Sequence, residues 1–387
     1  MARLLFAHDH RFGCHGGRYF SLTGGLNDAV FERYFELANH ITVLARIRNV
    51  DVKAGLTEVS SDAVEFFDAG SVGGRGIVEL VRTCDLVVVR LPSLVGLNVA
   101  RIAHQQGKPY FAEVVGSAWD ALWNHGLRGK AIAPFMEVAV QQAVRHASHA
   151  LYVTERFLQS KYPSLGAMAG VSDVECIPAP AAVLQRRLDR LGRGLPRPCV
   201  IGTTAAVDVR YKGQQHVIRA LRLLKGVEDR TFEYQMVGAG DSGYLQAVAR
   251  DAGVADQVSF LGSLPRSKVL EWLDRIDVYI QPSRQEGLPR AVVEAMSRGV
   301  PCLGSKAGGI PELLPASRLF DVGRGMPASI AAMLEGLSTQ ELVDDVRRNH
   351  HVSHKYELGV LAAERRAFMF SYRARMMGAP PMMPSER

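Results

Sequence analysis

The sequence predicts an α/β protein of two domains, each built on a parallel, doubly wound sheet. Short apolar runs alternate with helical patterns along most of the chain, for example 85–89 followed by 96–106. This alternation is typical of parallel strands joined by helices. The 387 residues suffice for two domains of ordinary size. A Pro-rich and Arg-rich stretch, 177–198, interrupts the pattern and marks the boundary between them.

Bulk composition indicates a soluble globular protein with a basic surface. Charged residues make up 22% of the chain, and the formal net charge is +7. That balance suits an anionic substrate or an anionic membrane surface. Because the lysines and arginines are scattered rather than gathered in blocks, we expect no nucleic acid partner. The longest apolar candidate, 86–103, is broken by Arg90 and Pro92, so no membrane span is predicted.

The cysteines and the first residues favour a cytoplasmic protein. The five cysteines are odd in number and far apart, without the Cys-x-x-Cys spacing of a zinc site. The chain enters a strand pattern at 4–7 without the apolar region of a signal peptide. We therefore expect a reducing compartment, with cysteines that fill core space.

Three features of the first half lie where predicted strands end. Residues 8–25 form a long Gly-rich loop whose paired glycines, Gly24 and Gly25, allow backbone to approach a ligand, although a merely flexible loop is the alternative. A cluster of histidines around Asp9 has metal-like spacing, but polar residues at a strand end are the favoured interpretation. After the strand 109–115, Trp119 and Asp120 lie in a polar loop, where ordinary loop packing competes with a ligand contact.

In the second half, a basic loop follows the first strand, 199–204. Arg210 and Lys212 lie in this loop just before the helix 214–224, and such groups bind diphosphates, although a solvated basic turn is the alternative. The later Gly238-Ala239-Gly240 lacks the third glycine of a dinucleotide site, so we exclude NAD.

The stretch 281–314 organises the second half. An apolar strand, 277–280, leads into a turn, and a helix is predicted from Pro289 to Gly299. This places Glu286 in the loop and Glu294 inside the helix. Backbone N–H groups near Gly287, Leu288 and Pro289 have no intrahelical partner, so the helix start is predicted to bind an anion. The alternative is a capped surface helix with acidic residues.

The wider motif string favours the ligand site. Pro282-Ser283, Glu286-Gly287, 294–296, 299–301 and 308–312 resemble, in order and spacing, the nucleotide-sugar site of family four glycosyltransferases of the bacterial polysaccharide-biosynthesis type. The resemblance implies the GT-B architecture: two Rossmann-like domains facing a cleft, with the last helix crossing back to the first domain. It also implies transfer of a sugar, with retention, from a nucleotide diphosphate donor to a hydroxyl of a glycan or lipid-linked acceptor.

The resemblance also assigns roles to individual residues. Glu286 would bind donor sugar hydroxyls and Glu294 the ribose, while Lys212 and the helix-start amides would stabilise the departing diphosphate. The remaining implied positions are Arg210 near the diphosphate, Gly24 and Gly25 facing the donor or acceptor, Gly262, Ser263 and Leu264 beside the base, Gly287, Leu288 and Pro289 at the phosphates, and Asp120 near the reacting centre.

Two departures from the family pattern concern the reacting centre. Ala206 stands where the family often has an arginine, and no histidine lies near residue 116, where many members have one. The chain has no Asp-x-Asp motif, so we expect neither a metal nor a cofactor. The base of the nucleotide is not fixed, and uridine diphosphate (UDP) is the working assignment. A non-catalytic nucleotide-sugar binder and a nucleotide-sugar epimerase are the alternative functions.

The predicted organisation follows from these assignments. We place the first domain at 1–178, a linker at 179–198, the nucleotide-sugar domain at 199–362, a crossing helix at 363–377 and a disordered tail at 378–387. Arginines beside aromatic residues in the crossing helix, such as Arg375 beside Tyr372, also suit contact with an anionic bilayer at the inner face of the membrane, and an ordinary surface helix is the alternative.

Overall fold

The computed structural model describes residues 2–22, 25–51, 56–123, 126–227 and 231–378. The chain divides into two compact units, the first comprising Met1–Val171 with Ala362–Arg387 and the second Ser172–Leu361. Each unit contains one sheet. Both are therefore α/β units, as the sequence predicts.

Among the described residues, the sheet of the first unit has nine strands, seven of which form a parallel series in the order β5-β3-β1-β6-β7-β8-β9. The strands are β1 (Arg3–His15), β2 (Arg18–Ser21), β3 (His40–Asn49), β4 (Thr57–Val59), β5 (Val64–Asp68), β6 (Leu86–Leu91), β7 (Phe111–Val114), β8 (His149–Tyr152) and β9 (Ala167–Gly170). Strands β2 and β4 are added in antiparallel fashion beyond the carboxyl half of β1.

The predicted Gly-rich loop over 8–25 is wrong for most of its length. Strand β1 continues to His15, and β2 pairs back on it through a two-residue turn. Gly16 and Gly17 form this turn with φ of 56° and 78°, values that residues with a Cβ rarely adopt. A Gly-Gly pair between two strand patterns is a hairpin signal, and it was the cue that this prediction missed.

Helices cover both faces of the first sheet. Those of the first unit are α1 (Asp28–Phe31), α2 (Gly73–Thr83), α3 (Leu94–Gln105), α4 (Ala118–Trp123), α5 (Gly126–Arg145) and α6 (Phe157–Lys161), together with α15 (Leu358–Met377) from Ala362 onward. Helices α2, α3 and α5 contribute Val81, Val99 and Val140 to one core. The return of the last helix to the first unit confirms that part of the predicted architecture.

Helix α15 packs its aromatic residues inward. The Tyr372 hydroxyl accepts a hydrogen bond from the Val87 amide at 3.1 Å and donates to the Val87 carbonyl at 3.0 Å. Phe368 lies edge-on to Phe111, with ring centroids 5.6 Å apart. These rings cover the sheet face opposite the α2–α3–α5 core, since neighbouring strand residues point to opposite faces. The aromatic residues that we assigned to a bilayer are therefore largely used in packing.

The described part of the second unit contains a six-stranded parallel sheet in the order β12-β11-β10-β13-β14-β15. Its strands are β10 (Cys199–Thr204), β11 (Phe232–Val237), β12 (Val258–Phe260), β13 (Val278–Gln281), β14 (Cys302–Ser305) and β15 (Leu319–Phe320). Its helices are α7 (Ala181–Gly192), α8 (Gln214–Leu224), α9 (Gly243–Asp251), α10 (Arg266–Leu273), α11 (Arg290–Ser297), α12 (Ile310–Leu313), α13 (Met326–Glu335) and α14 (Thr339–Ser353), followed by the first residues of α15.

The stretch that we predicted as a linker, 179–198, contains helix α7. Leu191 of this helix is fully buried in the core of the second unit. Arg187 is also buried, and its guanidinium donates to the carbonyls of Ile276 at 2.7 Å and Leu273 at 2.6 Å. The Pro-rich and Arg-rich composition thus belongs to a packed helix, and the units divide instead between Val171 and Ser172.

Three further sequence predictions concern the cysteines, the membrane and the tail. Cys84, Cys176, Cys199 and Cys302 are buried free thiols, as expected of core residues, and Cys14 is half-buried. Within the described ranges, no helix has the length and apolar character needed to cross a membrane. Most of the predicted tail, 379–387, lies outside the described residues.

Candidate active site

The candidate site lies at the carboxyl edge of the second sheet, where the strand order reverses. Strand β10 is followed in sequence by β11 on one side, and β13 pairs with its other side. Ligands of open parallel sheets bind outside the strand ends at such a reversal. The loops 205–213 and 282–289 leave this edge next to each other.

Backbone contacts lock these loops together. The Arg284 amide donates to the Tyr211 carbonyl at 2.7 Å, and the Gly309 amide donates to the Gly287 carbonyl at 2.7 Å. Gly308 has a φ of 55°, and a Cβ placed there would lie 1.9 Å from the Glu286 carbonyl oxygen. Only glycine permits this approach, which explains the paired glycines of the motif in physical terms.

Lys212 and Glu286 form an ion pair between the loops. Lys212 Nζ lies 2.8 Å from Glu286 Oε1, and both side chains are partly buried. Lys212 ends a short 3₁₀ turn that stops at Gly213, whose φ is 82°. A Cβ on Gly213 would collide with the Pro282 carbonyl, so this glycine sets how closely the lysine loop approaches the glutamate loop. The structure thus brings together two residues that lie 74 positions apart.

A buried glutamine supports Glu286, and sequence reasoning missed it. Gln281 ends strand β13 and is only 2% exposed. Its Nε2 donates to Glu286 Oε1 at 3.0 Å and to Ser283 Oγ at 2.8 Å, while its Oε1 accepts from the Tyr279 hydroxyl at 2.7 Å. A polar residue closing an otherwise apolar buried strand was the available signal, because buried amides need partners.

Helix α11 carries the second carboxylate. It begins at Arg290 after Pro289 and ends at Ser297, so Glu286 lies in the loop and Glu294 in the helix, as predicted. Glu294 is buried, and its Oε1 lies 3.2 Å from Arg266 Nε. Burial raises the pKa of Glu294, whereas the guanidinium of Arg266 opposes that rise. The buried Glu294 carboxylate therefore offers hydrogen-bond acceptors next to a cation.

Arg210 has a partner of its own. Its guanidinium carbon lies 4.4 Å from the centre of the Tyr244 ring, a cation–π contact. Ala206, at the family's arginine position, contributes its carbonyl to the Gln214 side chain at 3.0 Å. The structure therefore places Arg210 in the lysine loop while stacking its side chain on α9.

The residues predicted beside the base form an exposed loop after β12. Gly262 has a φ of 69°, and its carbonyl accepts from the Gly238 amide at 2.9 Å. Ser263 is exposed, and Leu264 packs partly against the core. This loop lies at the same carboxyl edge as the Lys212 loop, two strands away from β10.

In the first unit, two predicted positions are described and one is not. Gly25 lies exposed in a bend before α1, and Gly24 lies outside the described residues. Asp120 is half-buried in the first turn of α4, where its amide donates to Ser117 Oγ at 3.2 Å. The predicted loop is therefore a helix, and Ser117 three residues before an acidic residue was the missed capping signal.

The polar cluster of His8, Asp9 and His10 lies within β1, where its pairing with β3 shifts register between Ala7 and Arg11, and it has structural roles. Asp9 accepts hydrogen bonds from the amides of Leu94 at 2.7 Å and Val95 at 3.0 Å, at the start of α3. His8 Nδ1 accepts from the His10 amide at 2.9 Å, and burial lowers the pKa of His8 to about 4. Across the described ranges, no group of three or more His, Cys, Asp or Glu residues is placed to hold a metal ion.

Comparison with known proteins identifies relatives of the chain. Residues 203–326 match the family model described as glycosyl transferases group 1. Protein CapJ of Staphylococcus aureus is 30% identical over 386 residues, covering 96% of each chain. The amylovoran biosynthesis glycosyltransferase AmsK of Erwinia amylovora is 36% identical over 132 residues, 32% of each chain.

Solved structures show the fold. Anabaena Alr3699/HepE in complex with UDP-glucose superposes with a TM-score of 0.61 at 17% identity, covering 96% of this chain and 100% of that one. The two α/β units with parallel sheets have the GT-B fold. Since the relative from Staphylococcus aureus aligns along nearly the whole chain and the family model spans the Lys212–Glu286 site, the chain is an enzyme that belongs to family four of the glycosyltransferases.

Proposed function

We propose that the protein transfers a sugar from a nucleotide diphosphate donor to a hydroxyl of a glycan or lipid-linked acceptor, with retention of anomeric configuration, in surface polysaccharide synthesis. It would act in the cytoplasm, peripherally at the inner face of the membrane. The observation that carries the proposal is the Lys212–Glu286 ion pair, 2.8 Å long, at the strand-order reversal of the second sheet.

The leaving diphosphate gains charge as the sugar bond breaks, so fixed positive groups near it lower the barrier. Lys212, held in place by Glu286, supplies a cation, and the start of α11 supplies backbone amides and the positive end of the helix dipole. No metal is needed for this charge, and the sequence lacks an Asp-x-Asp motif. We therefore expect turnover to persist in the presence of a chelator.

Glu286 is prepared to hold the sugar. Its Oε1 accepts from both Lys212 and Gln281, and neither of those hydrogen bonds uses Oε2. A carboxylate oxygen held in this way accepts from a sugar hydroxyl without reorganising. Glu294, one turn inside α11, would accept from the ribose of the nucleotide.

Uridine is the base to test first. UDP-glucose is the ligand of the Anabaena protein, which shares the fold, and the base-side loop here, Gly262 to Leu264, carries no charged side chain. We expect UDP to raise the melting temperature more than GDP or ADP does, because a ligand that binds only the folded state stabilises it.

Release of nucleotide from a sugar donor tests catalysis itself. Glu286→Ala and Lys212→Ala are each expected to reduce release by roughly 100-fold or more, with Arg222→Ala in the exposed part of α8 as a control. Release that is equal in all variants would refute the site, and nucleotide binding without release in the wild type would indicate a non-catalytic binder. The anomeric configuration of the transferred sugar, read by NMR, tests retention.

A further inference from the structure

Helix α5 of the first unit presents an apolar stripe to solvent. Ile132, Phe135 and Val138 are 50%, 78% and 55% exposed. The buried side of the same helix carries Ala133 and Val140, both fully buried in the core of the unit. The helix is therefore apolar on two sides, although a solvent-facing side of a soluble helix is ordinarily polar.

An aromatic and basic corner adjoins this stripe. Trp123, at the end of α4, is 39% exposed and stacks on Trp119 with ring centroids 4.5 Å apart. Lys130 Nζ lies 5.5 Å from the centre of the Trp123 ring. Tryptophan and lysine together are the side chains that anchor a surface at the boundary between water and lipid headgroups.

The charge of the helix is arranged for an anionic partner. The sequence of α5 contains a single acidic residue, Glu137. Its carboxylate accepts from the Tyr162 hydroxyl at 2.7 Å and from the Trp119 amide at 2.9 Å, and it lies 3.3 Å from Lys161 Nζ. The Glu137 carboxylate thus binds Tyr162, Trp119 and Lys161. No other acidic residue of α5 offsets the positive charge of Lys130 beside the apolar stripe.

We propose that Trp123, Lys130, Ile132, Phe135 and Val138, here named the α5 surface, rest on an anionic lipid bilayer. The proposal deepens the peripheral membrane location given above and moves it from α15, whose aromatic residues pack inward. A helix face with exposed apolar side chains and a basic flank binds at the headgroup boundary, where apolar burial and attraction to anionic lipid add together.

Vesicle co-sedimentation of the full chain tests the assignment. We expect binding to vesicles of phosphatidylcholine with phosphatidylglycerol, weaker binding to phosphatidylcholine alone, and a loss of roughly tenfold in the double variant Phe135→Ser/Val138→Ser, because both side chains lose apolar burial. Lys130→Ala should weaken binding less and flatten its dependence on salt. Leu223→Ser is the matched control, since Leu223 of α8 is as exposed as Val138.

The outcomes separate this proposal from the proposed function. Nucleotide release from a soluble sugar donor should be unchanged in the double variant, so a protein that releases nucleotide yet ignores anionic vesicles refutes the α5 surface alone. Equal vesicle binding by the double variant also refutes it. A dimer in light scattering that the double variant abolishes, without vesicle binding, would assign the surface to a second copy of the chain. Circular dichroism melting confirms that each variant is folded.

Discussion

The carboxyl edges of the two sheets use their polar residues in different ways. In the second unit, Lys212 and Glu286 face each other across loops that glycines hold close together. In the first unit, the Asp9 carboxylate accepts hydrogen bonds from amides at the start of α3. Glu113 accepts from Tyr34 at 2.7 Å and from Arg90 at 3.0 Å. We therefore expect a ligand site where polar residues face each other across neighbouring loops, and not where backbone amides or buried side chains already use their oxygens.

The largest expected effect comes from breaking the contact between the loops of the second unit. Gly308→Ala places a Cβ against the Glu286 carbonyl at a φ that alanine disfavours, so the glutamate loop must move. A shift of about 1 Å in a catalytic group costs roughly 100-fold in rate. Nucleotide release measured from a sugar donor should fall by that factor. Gly192→Ala is the control, because a Cβ there meets nothing within 4 Å and the residue is helical.

A second variant tests whether the buried support of Glu286 matters. Gln281→Met removes the amide that joins Glu286, Ser283 and Tyr279. The loss of buried partners should lower the free energy of unfolding by about 1–3 kcal/mol. It should also reduce the rate of nucleotide release more than it changes the KM for the donor.

The matched control for this variant is Gln246→Met. Gln246 is an exposed glutamine of α9 that also donates to a serine, at 2.9 Å. If Gln281→Met and Gln246→Met have the same release rate and the same pH profile of release, Gln281 has only a space-filling role.

Glu294→Gln in the second unit should weaken UDP binding without lowering the stability of the protein. The pKa of Glu294 is raised by burial, so between the unfolded and folded pKa values the native state holds more protons than the unfolded state. Stability contributed by this residue therefore falls as pH rises through that window. The glutamine variant should be as stable as the wild type or more stable at pH 7, while its affinity for UDP falls by about tenfold.

The measurements for this prediction are thermal melts at pH 5 and pH 7 and calorimetric titration with UDP. Glu271→Gln, which changes an exposed glutamate of α10, should alter neither. A drop in stability without a change in UDP affinity would show that Glu294 is purely structural.

Asp9→Ala in the first unit should lower stability without changing UDP binding, the reverse of the result expected for Glu294→Gln. It should also have the smallest effect of these variants. It removes the acceptor for two amides at the start of α3, so the free energy of unfolding should fall by about 1 kcal/mol. The rise in melting temperature caused by UDP should be unchanged. Asp62→Ala, at an exposed position, is the control. A loss of UDP stabilisation in Asp9→Ala would overturn the contrast between the two edges.

The sequence was most informative where local rules set the structure. Pro289 marks the start of α11 and Gly299, with a φ of 63°, lies just beyond its end, because these residues suit those positions. The same boundary places Glu286 in the turn before α11 and Glu294 inside the helix. Motif spacing also predicted Lys212, and the structure shows its pairing with Glu286.

Features that depend on distant residues were missed. The extension of β1 to His15 depends on pairing with both β2 and β3, which periodicity alone does not reveal. Gln281 supports Glu286 because the fold places Tyr279 and Glu286 within hydrogen-bond distance of its side chain. The composition of 179–198 suggested a linker, yet Leu191 is held by a core assembled from the rest of the second unit. Tertiary packing decided each of these cases.

The return of α15 to the first unit has a consequence for how the chain folds during synthesis. The second unit is continuous in sequence, whereas the first is built from both ends of the chain. Phe111 meets Phe368, and Val87 meets Tyr372, only after nearly the whole chain has left the ribosome. The second unit is therefore complete first, and the part of the first sheet around Val87 and Phe111 stays uncovered on one face until α15 packs against it.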